Sequence, residues 1–136
     1  MRVVVVGGVA GGMSSAARLR RRDEGAEIIV LERGSYVSFA NCGLPYYVGG
    51  EIEDSAKLLL HTPQSLKAAI NLDVRINSEV SAIDPDAHSV TVANSDTGEA
   101  YTLSYDYLIL SPGALAARPP IDGLDSPRVH TLRTVD

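Results

Sequence analysis

"RVVVVGGVAGGMSSAARLRRRDEGAEIIVLE", Arg2 to Glu32, is the stretch on which the fold turns. The valine run that follows Arg2 is short and β-branched, and reads as a strand over Arg2 to Val6 buried on both faces, as in a parallel sheet. It ends at "GGVAGG". Met13 to Asp23 then reads as a helix, with Ala16 and Ala17 in its body and arginines near its C-terminal end, where they complement the macrodipole. "AEIIVLE", Ala26 to Glu32, is a second strand. Strand, glycine turn, helix and strand make a βαβ unit, and the right-handed crossover sets the two strands parallel.

The glycine turn has the form of a dinucleotide fingerprint. Such a turn needs glycine where the chain bends most tightly, where backbone approaches a pyrophosphate, and where helix packs on strand. Gly7 and Gly12 fill the first and last positions, while Val9 stands in the middle one between Gly8 and Gly11. A helix N-terminus beginning near Gly11 offers free N–H groups and a positive dipole end to phosphate oxygens. Glu32 follows Gly7 by 25 positions, close to where a carboxylate receives an adenosine ribose, and it disfavours a 2′-phosphate. The candidate cofactor contacts are thus Gly7, Gly8, Val9, Ala10, Gly11, Gly12, Glu32 and Arg33. The fingerprint alone does not separate FAD from NAD.

Working outward, "GLPYYVGG" reads as a short helix closed by Gly49 and Gly50, and "EIEDSAK" as an acidic surface turn. Thr62 as N-cap and Pro63 at the first helical position predict a helix from Pro63 to Ile70. "VRIN", "EVSAID", "SVTVAN" and "AYTLSY" are short, alternating and separated by turn signals, and read as a small antiparallel meander. "YDYLILSPG", Tyr105 to Gly113, reads as a buried strand ending in a tight turn. "ARPPIDGLDSP" is a Pro-rich linker, and "VHTLRTVD" starts another element, so the chain reads as the N-terminal piece of something longer.

At 136 residues, 45% hydrophobic and 21% charged, the chain suits one compact soluble domain. Twelve Lys and Arg against seventeen Asp and Glu give a net charge of −5, which offers no global positive field to nucleic acid or an anionic membrane. Glycines interrupt the apolar N-terminus and "RLRRR" follows it, which argues against an export signal. The cytoplasm is the expected location. His61, His88 and His130 are scattered without metal-ligand spacing, and no metal site is expected.

Cys42, in "SFANCG", is the only cysteine. It cannot form an internal disulfide, and one thiol is too few ligands for a protein-only zinc site. A packed small side chain, a surface residue without a role, and a thiol kept for reaction all remain open. With Asn41 capping a helix over "CGLPYYV", the sulfur would lie at a helix N-terminus, which favours thiolate. Its position ten residues after Glu32 brings it toward the nucleotide-binding edge.

"VVVVGGVAGGMSSAARLRR", "SFANCGLPYYVGG" and "YDYLILSPGA" together resemble the FAD-binding half of the pyridine nucleotide-disulfide oxidoreductases. Within them the resemblance is to the single-cysteine branch of coenzyme A-disulfide reductase, CoA persulfide reductases and NADH oxidases, and it runs from Arg2 to Asp136. It implies an α/β, Rossmann-like FAD-binding domain with a parallel sheet, a crossover helix and a small antiparallel meander. It also implies FAD as cofactor, NAD(P)H as co-substrate, and Cys42 as a catalytic thiol that forms a mixed disulfide with CoA. Two-cysteine relatives carry a second cysteine a few positions on, where this chain has Leu, Pro and Tyr, so the second thiol comes from the substrate. Ser111-Pro112-Gly113 stands where the family's second flavin motif usually reads Ala-Thr-Gly, which adds Ser111 and Gly113 as cofactor contacts.

The family's CoA contacts fall on Ser14, Arg18, Arg21, Ser38 and Asn41, although Gln is common where Arg18 stands. Ser14, Arg18 and Arg21 form one helical stripe able to meet phosphates, and equally a solvated, dipole-matched face. Two alternatives stand beside the reductase: an NADH oxidase or peroxidase cycling through a cysteine sulfenic acid, and a non-catalytic nucleotide-binding module. A family enzyme also has an NAD(P)H domain and a C-terminal dimerisation domain, neither of which is in these 136 residues, so a homodimer is expected at full length.

Overall fold

The computed structural model describes residues 1–135. At its centre lies β1 (Arg2–Val6), paired in parallel with β2 (Glu27–Leu31) on one side and β7 (Tyr107–Leu110) on the other. β3 (Asp73–Arg75) adds outside β2, giving the order β3-β2-β1-β7. Because strand side chains alternate, β1 feeds two layers. Val3 and Val5 pack with Ile28, Val30 and the helix layer: Met13 and Ala16 of α1 (Ala10–Arg22), and Leu66 of α3 (Pro63–Ile70). Val4, Ile29 and Leu31 face the opposite way, onto Val90 and Val92 of an antiparallel meander. That meander is β4 (Ser78–Asp84), β5 (Ser89–Asn94) and β6 (Ala100–Ser104). The result is a three-layer α/β/β arrangement.

Local chemistry explains the elements. Thr62 and Ser65 form a reciprocal capping box at the start of α3, and Asn71 ends it in the left-handed conformation with φ 48°. Arg75 joins the sheets: it donates to Asp73 Oδ2 at 2.7 Å and to Tyr101 Oη at 3.1 Å, with its guanidinium 5.6 Å from the Tyr101 ring centre. The hydrogen bond to Asp73 raises the Arg75 pKa above its usual value, keeping this link charged.

Several expectations are corrected. "VRIN" is not part of the meander; its first residues are in β3, because α3 acts as a second crossover and delivers it parallel to β2. α1 starts at Ala10 rather than Met13, since Gly11 and Gly12 of the turn are themselves wound into its first turn. The second strand is trimmed to Glu27–Leu31, leaving Glu32 just beyond its end. β7 is shorter than Tyr105 to Gly113 and lies at the sheet edge, so Tyr107 is 62% and Leu110 56% exposed rather than buried. Residues 128–135 of the tail form no helix or strand, and Asp136, the last residue of "VHTLRTVD", lies outside the described residues. Among the described residues no helix is long and apolar enough to cross a membrane, and no cluster of His, Cys, Asp and Glu could hold a metal ion.

Candidate active site and nucleotide cleft

The carboxyl ends of β1, β2 and β7 open into a cleft of about 190 Å³, where open parallel sheets place their ligands. Gly7 makes the crossing possible. Its φ is +102°, its N–H donates to the Leu31 carbonyl at 2.8 Å, and a Cβ there would strike the Ser111 carbonyl. At Gly12 a Cβ would strike the Gly7 carbonyl, so this glycine lets α1 close onto the turn. Val9, the departure from the fingerprint, is the N-cap residue of α1 and makes no side-chain capping bond. Among the described residues the N–H groups of Ala10, Gly11 and Gly12 have no acceptor, which leaves first-turn donors for an anion.

Glu32 is held on four sides. Its Oε2 accepts from Gly8 N at 2.7 Å and its Oε1 from Gly34 N at 2.8 Å. Its own N–H donates to the Arg75 carbonyl at 2.9 Å, and its carbonyl accepts from Ser78 N at 2.9 Å. Each carboxylate oxygen keeps a second acceptor site for a ribose hydroxyl. Phosphate donors at α1 and a fixed acceptor at Glu32 fit the adenosine-diphosphate half of a dinucleotide such as FAD.

The loop with Cys42 is fastened to this cleft. Ser38 N donates to the Gly8 carbonyl at 2.8 Å, Phe39 forms an antiparallel bridge with Leu59, and Ala40 N donates to the Leu58 carbonyl at 2.8 Å. Cys42 then lies in a 3-10 turn over Asn41–Gly43, followed by α2 (Leu44–Val48), and is an exposed free thiol. Asn41 does not cap a helix: it is inside the turn, and neither flanking cap residue, Ala40 or Gly43, makes a side-chain capping bond. The expected Asn41 cap is therefore not built here.

Of the residues singled out in the sequence, Gly7, Val9, Ala10, Gly11, Glu32, Arg33, Asn41, Ser111 and Gly113 line the one cleft. Gly8, Gly12, Ser14, Arg18, Arg21, Ser38 and Cys42 are outside its lining. Ser14, Arg18 and Arg21 are exposed on α1. Arg20 behaves differently: it is 8% exposed and donates to the carbonyls of Ile70, Asp23, Glu24 and Asn71, clasping the C-terminal ends of α1 and α3. The sequence reading missed Tyr36, Phe39 and the segment Arg133–Val135, which also line the cleft. Tyr36 and Phe39 were signalled by lying between Glu32 and Asn41. Arg133, whose Nε donates to the Ala114 carbonyl at 3.0 Å, had no signal beyond a linker of unknown path.

A parallel sheet with a glycine turn, a carboxylate fixed beside it and an exposed thiol on a loop tied to that turn is the pattern of a nucleotide-dependent oxidoreductase. The chain belongs to the pyridine nucleotide-disulphide oxidoreductase family, whose model matches residues 1–136. It is 45% identical over 117 residues to a coenzyme A disulfide reductase of Staphylococcus epidermidis, covering 86% of this chain and 27% of that protein. The crystal structure of reduced Bacillus anthracis CoADR-RHD superposes with a TM-score of 0.85 at 54% identity, over 88% of this chain and 22% of that one. A NAD-dependent persulfide reductase from A. fulgidus superposes with a TM-score of 0.92 at 40% identity, over 98% of this chain and 25% of that one. The chain thus spans under a third of the length of these relatives.

Proposed function

We propose that this chain is the FAD-binding, cysteine-bearing segment of a cytoplasmic, homodimeric enzyme that uses NAD(P)H to reduce CoA disulfide or a CoA persulfide or polysulfide. The observation that supports it most is the exposed, unpaired thiol of Cys42, on a loop tied by the Ser38 N–H to Gly8 in the nucleotide-binding turn. The relatives named as reductases of CoA disulfide and persulfide support the substrate class.

In this reading the first turn of α1 takes the cofactor's phosphates, Glu32 its ribose, and Arg33, Ser111 and Gly113 the rest of the cleft. Ser14, Arg18 and Arg21 offer a hydroxyl and two guanidiniums to CoA phosphates, with Ser38 and Asn41 beside the sulfur. Cys42 thiolate attacks one sulfur of the substrate disulfide; the S–S bond breaks, one CoA thiolate leaves with the electron pair and takes up a proton, and Cys42 stays joined to the other half. The two electrons that cleave this mixed disulfide, regenerating Cys42 thiolate and releasing the second CoA thiol, are what bound FAD supplies from NAD(P)H.

The test is anaerobic reduction of the full-length enzyme with NADH, followed by CoA disulfide. Rapid reoxidation by the disulfide is expected. Reoxidation by oxygen alone would replace this function with the oxidase. Cys42→Ser is expected to keep flavin and lose turnover, and turnover that persisted would point to a module without thiol chemistry.

A further inference from the structure

Ser38 has a φ of 53°, in the left-handed region that residues bearing a Cβ enter only under constraint. The constraint comes from both neighbours. Val37 is buried against the turn, where a Cβ on Gly8 would come within 3.0 Å of its Cγ2, and Phe39 is bridged to Leu59 on the far side. The chain bends between these two anchors, at Ser38, whose N–H is bound to the Gly8 carbonyl at 2.8 Å. Four residues later comes Cys42.

We propose that Ser38 is a positioning residue for Cys42, acting through its left-handed backbone and its N–H rather than through its hydroxyl. The strained turn ties the reactive loop to the same Gly8 whose N–H is held by Glu32. Backbone outliers that surrounding packing over-determines are often kept where a reacting group must be placed. The proposal rests on the reading that Cys42 reacts with the substrate, and it assigns the neighbouring serine a task distinct from substrate contact.

A substitution series separates backbone from hydroxyl. Ser38→Thr keeps the hydroxyl but is β-branched, which opposes positive φ; Ser38→Ala drops the hydroxyl at the same backbone cost that serine already bears, and Ser38→Gly drops it and removes that cost. In the full-length enzyme, Ser38→Thr is expected to speed amide hydrogen exchange of residues 38–43 about tenfold and to lower kcat about as much, with little change in KM. Ser38→Gly and Ser38→Ala are expected to leave exchange of residues 38–43 within about threefold of the parent, with any loss of substrate contact falling on KM. Full activity in Ser38→Thr with loss in Ser38→Gly and Ser38→Ala would assign the role to the hydroxyl and overturn the proposal. Unchanged exchange in Ser38→Thr would overturn it equally. Exchange reads the loop whatever substrate is reduced, so this outcome is separate from the fate of the reductase function, which Cys42→Ser decides.

Discussion

Replacing Arg20 by Met tests how the arginines of α1 divide their work. Arg20 is 8% exposed, and its guanidinium donates at 3.1 Å to the Ile70 carbonyl, 3.0 Å to that of Asn71, 2.5 Å to that of Glu24 and 3.3 Å to that of Asp23. Met keeps most of the stem volume, so the change removes charge-assisted bonds rather than packing. Glu24 and Asn71 are exposed, and water can take over their carbonyls. The net loss is then that of one or two charge-assisted bonds, about 3 kcal/mol. For a chain of this size that lowers Tm by roughly 10 °C. Arg18→Met and Arg21→Met, on the exposed face, are expected to cost under about 0.5 kcal/mol. Arg20→Lys recovers only part of the loss, because one ammonium cannot span the carbonyls of two helix ends. Thermal and urea unfolding followed by circular dichroism measure all four. An Arg20→Met chain as stable as the parent would show that the clasp contributes nothing and that the reasoning is wrong.

Gly12→Ala drives a methyl group into the Gly7 carbonyl and is expected to cost at least about 2 kcal/mol and to abolish nucleotide binding; a urea midpoint unchanged from the parent would contradict this. Glu32→Gln places an amide NH2 against one of two backbone N–H donors, so affinity for FAD should fall at least about tenfold, read by fluorescence titration, and undiminished affinity would rule out the carboxylate's role. Asn71→Gly relieves a left-handed C-cap and should stabilise by about 0.5–1 kcal/mol, an outcome that a lower Tm would exclude.

The sequence was most informative where backbone demands were local. The valine run, the glycine turn and Thr62-Pro63 each specify conformation within a few residues, and β1, α1, β2 and α3 were readable from them. "VRIN" was misplaced because a three-residue strand holds no information about its partner; the crossover through α3 decides it. The shorter, exposed β7 follows from its edge position, which no property of "YLIL" reveals. Arg20 did leave a trace: Met13, Ala16 and Arg20 recur at helical spacing on one face, so the third member of an apolar stripe was an arginine with partners to find. The return of Arg133 to the cleft depends on the path of a Pro-rich segment, and nothing local encodes that path.

β1 pairs with β2 soon after it in the chain, but its other edge waits for β7, and 104 positions separate Arg2 from its partner Asp106. During synthesis that edge stays open for roughly 5–20 s while the intervening residues are made. Closing so long a loop is entropically slow, so the β1–β7 pairing is expected to limit the folding rate. The cleft at the carboxyl ends of the strands, which needs Ser111 against Gly7, is therefore among the last features of the molecule to exist.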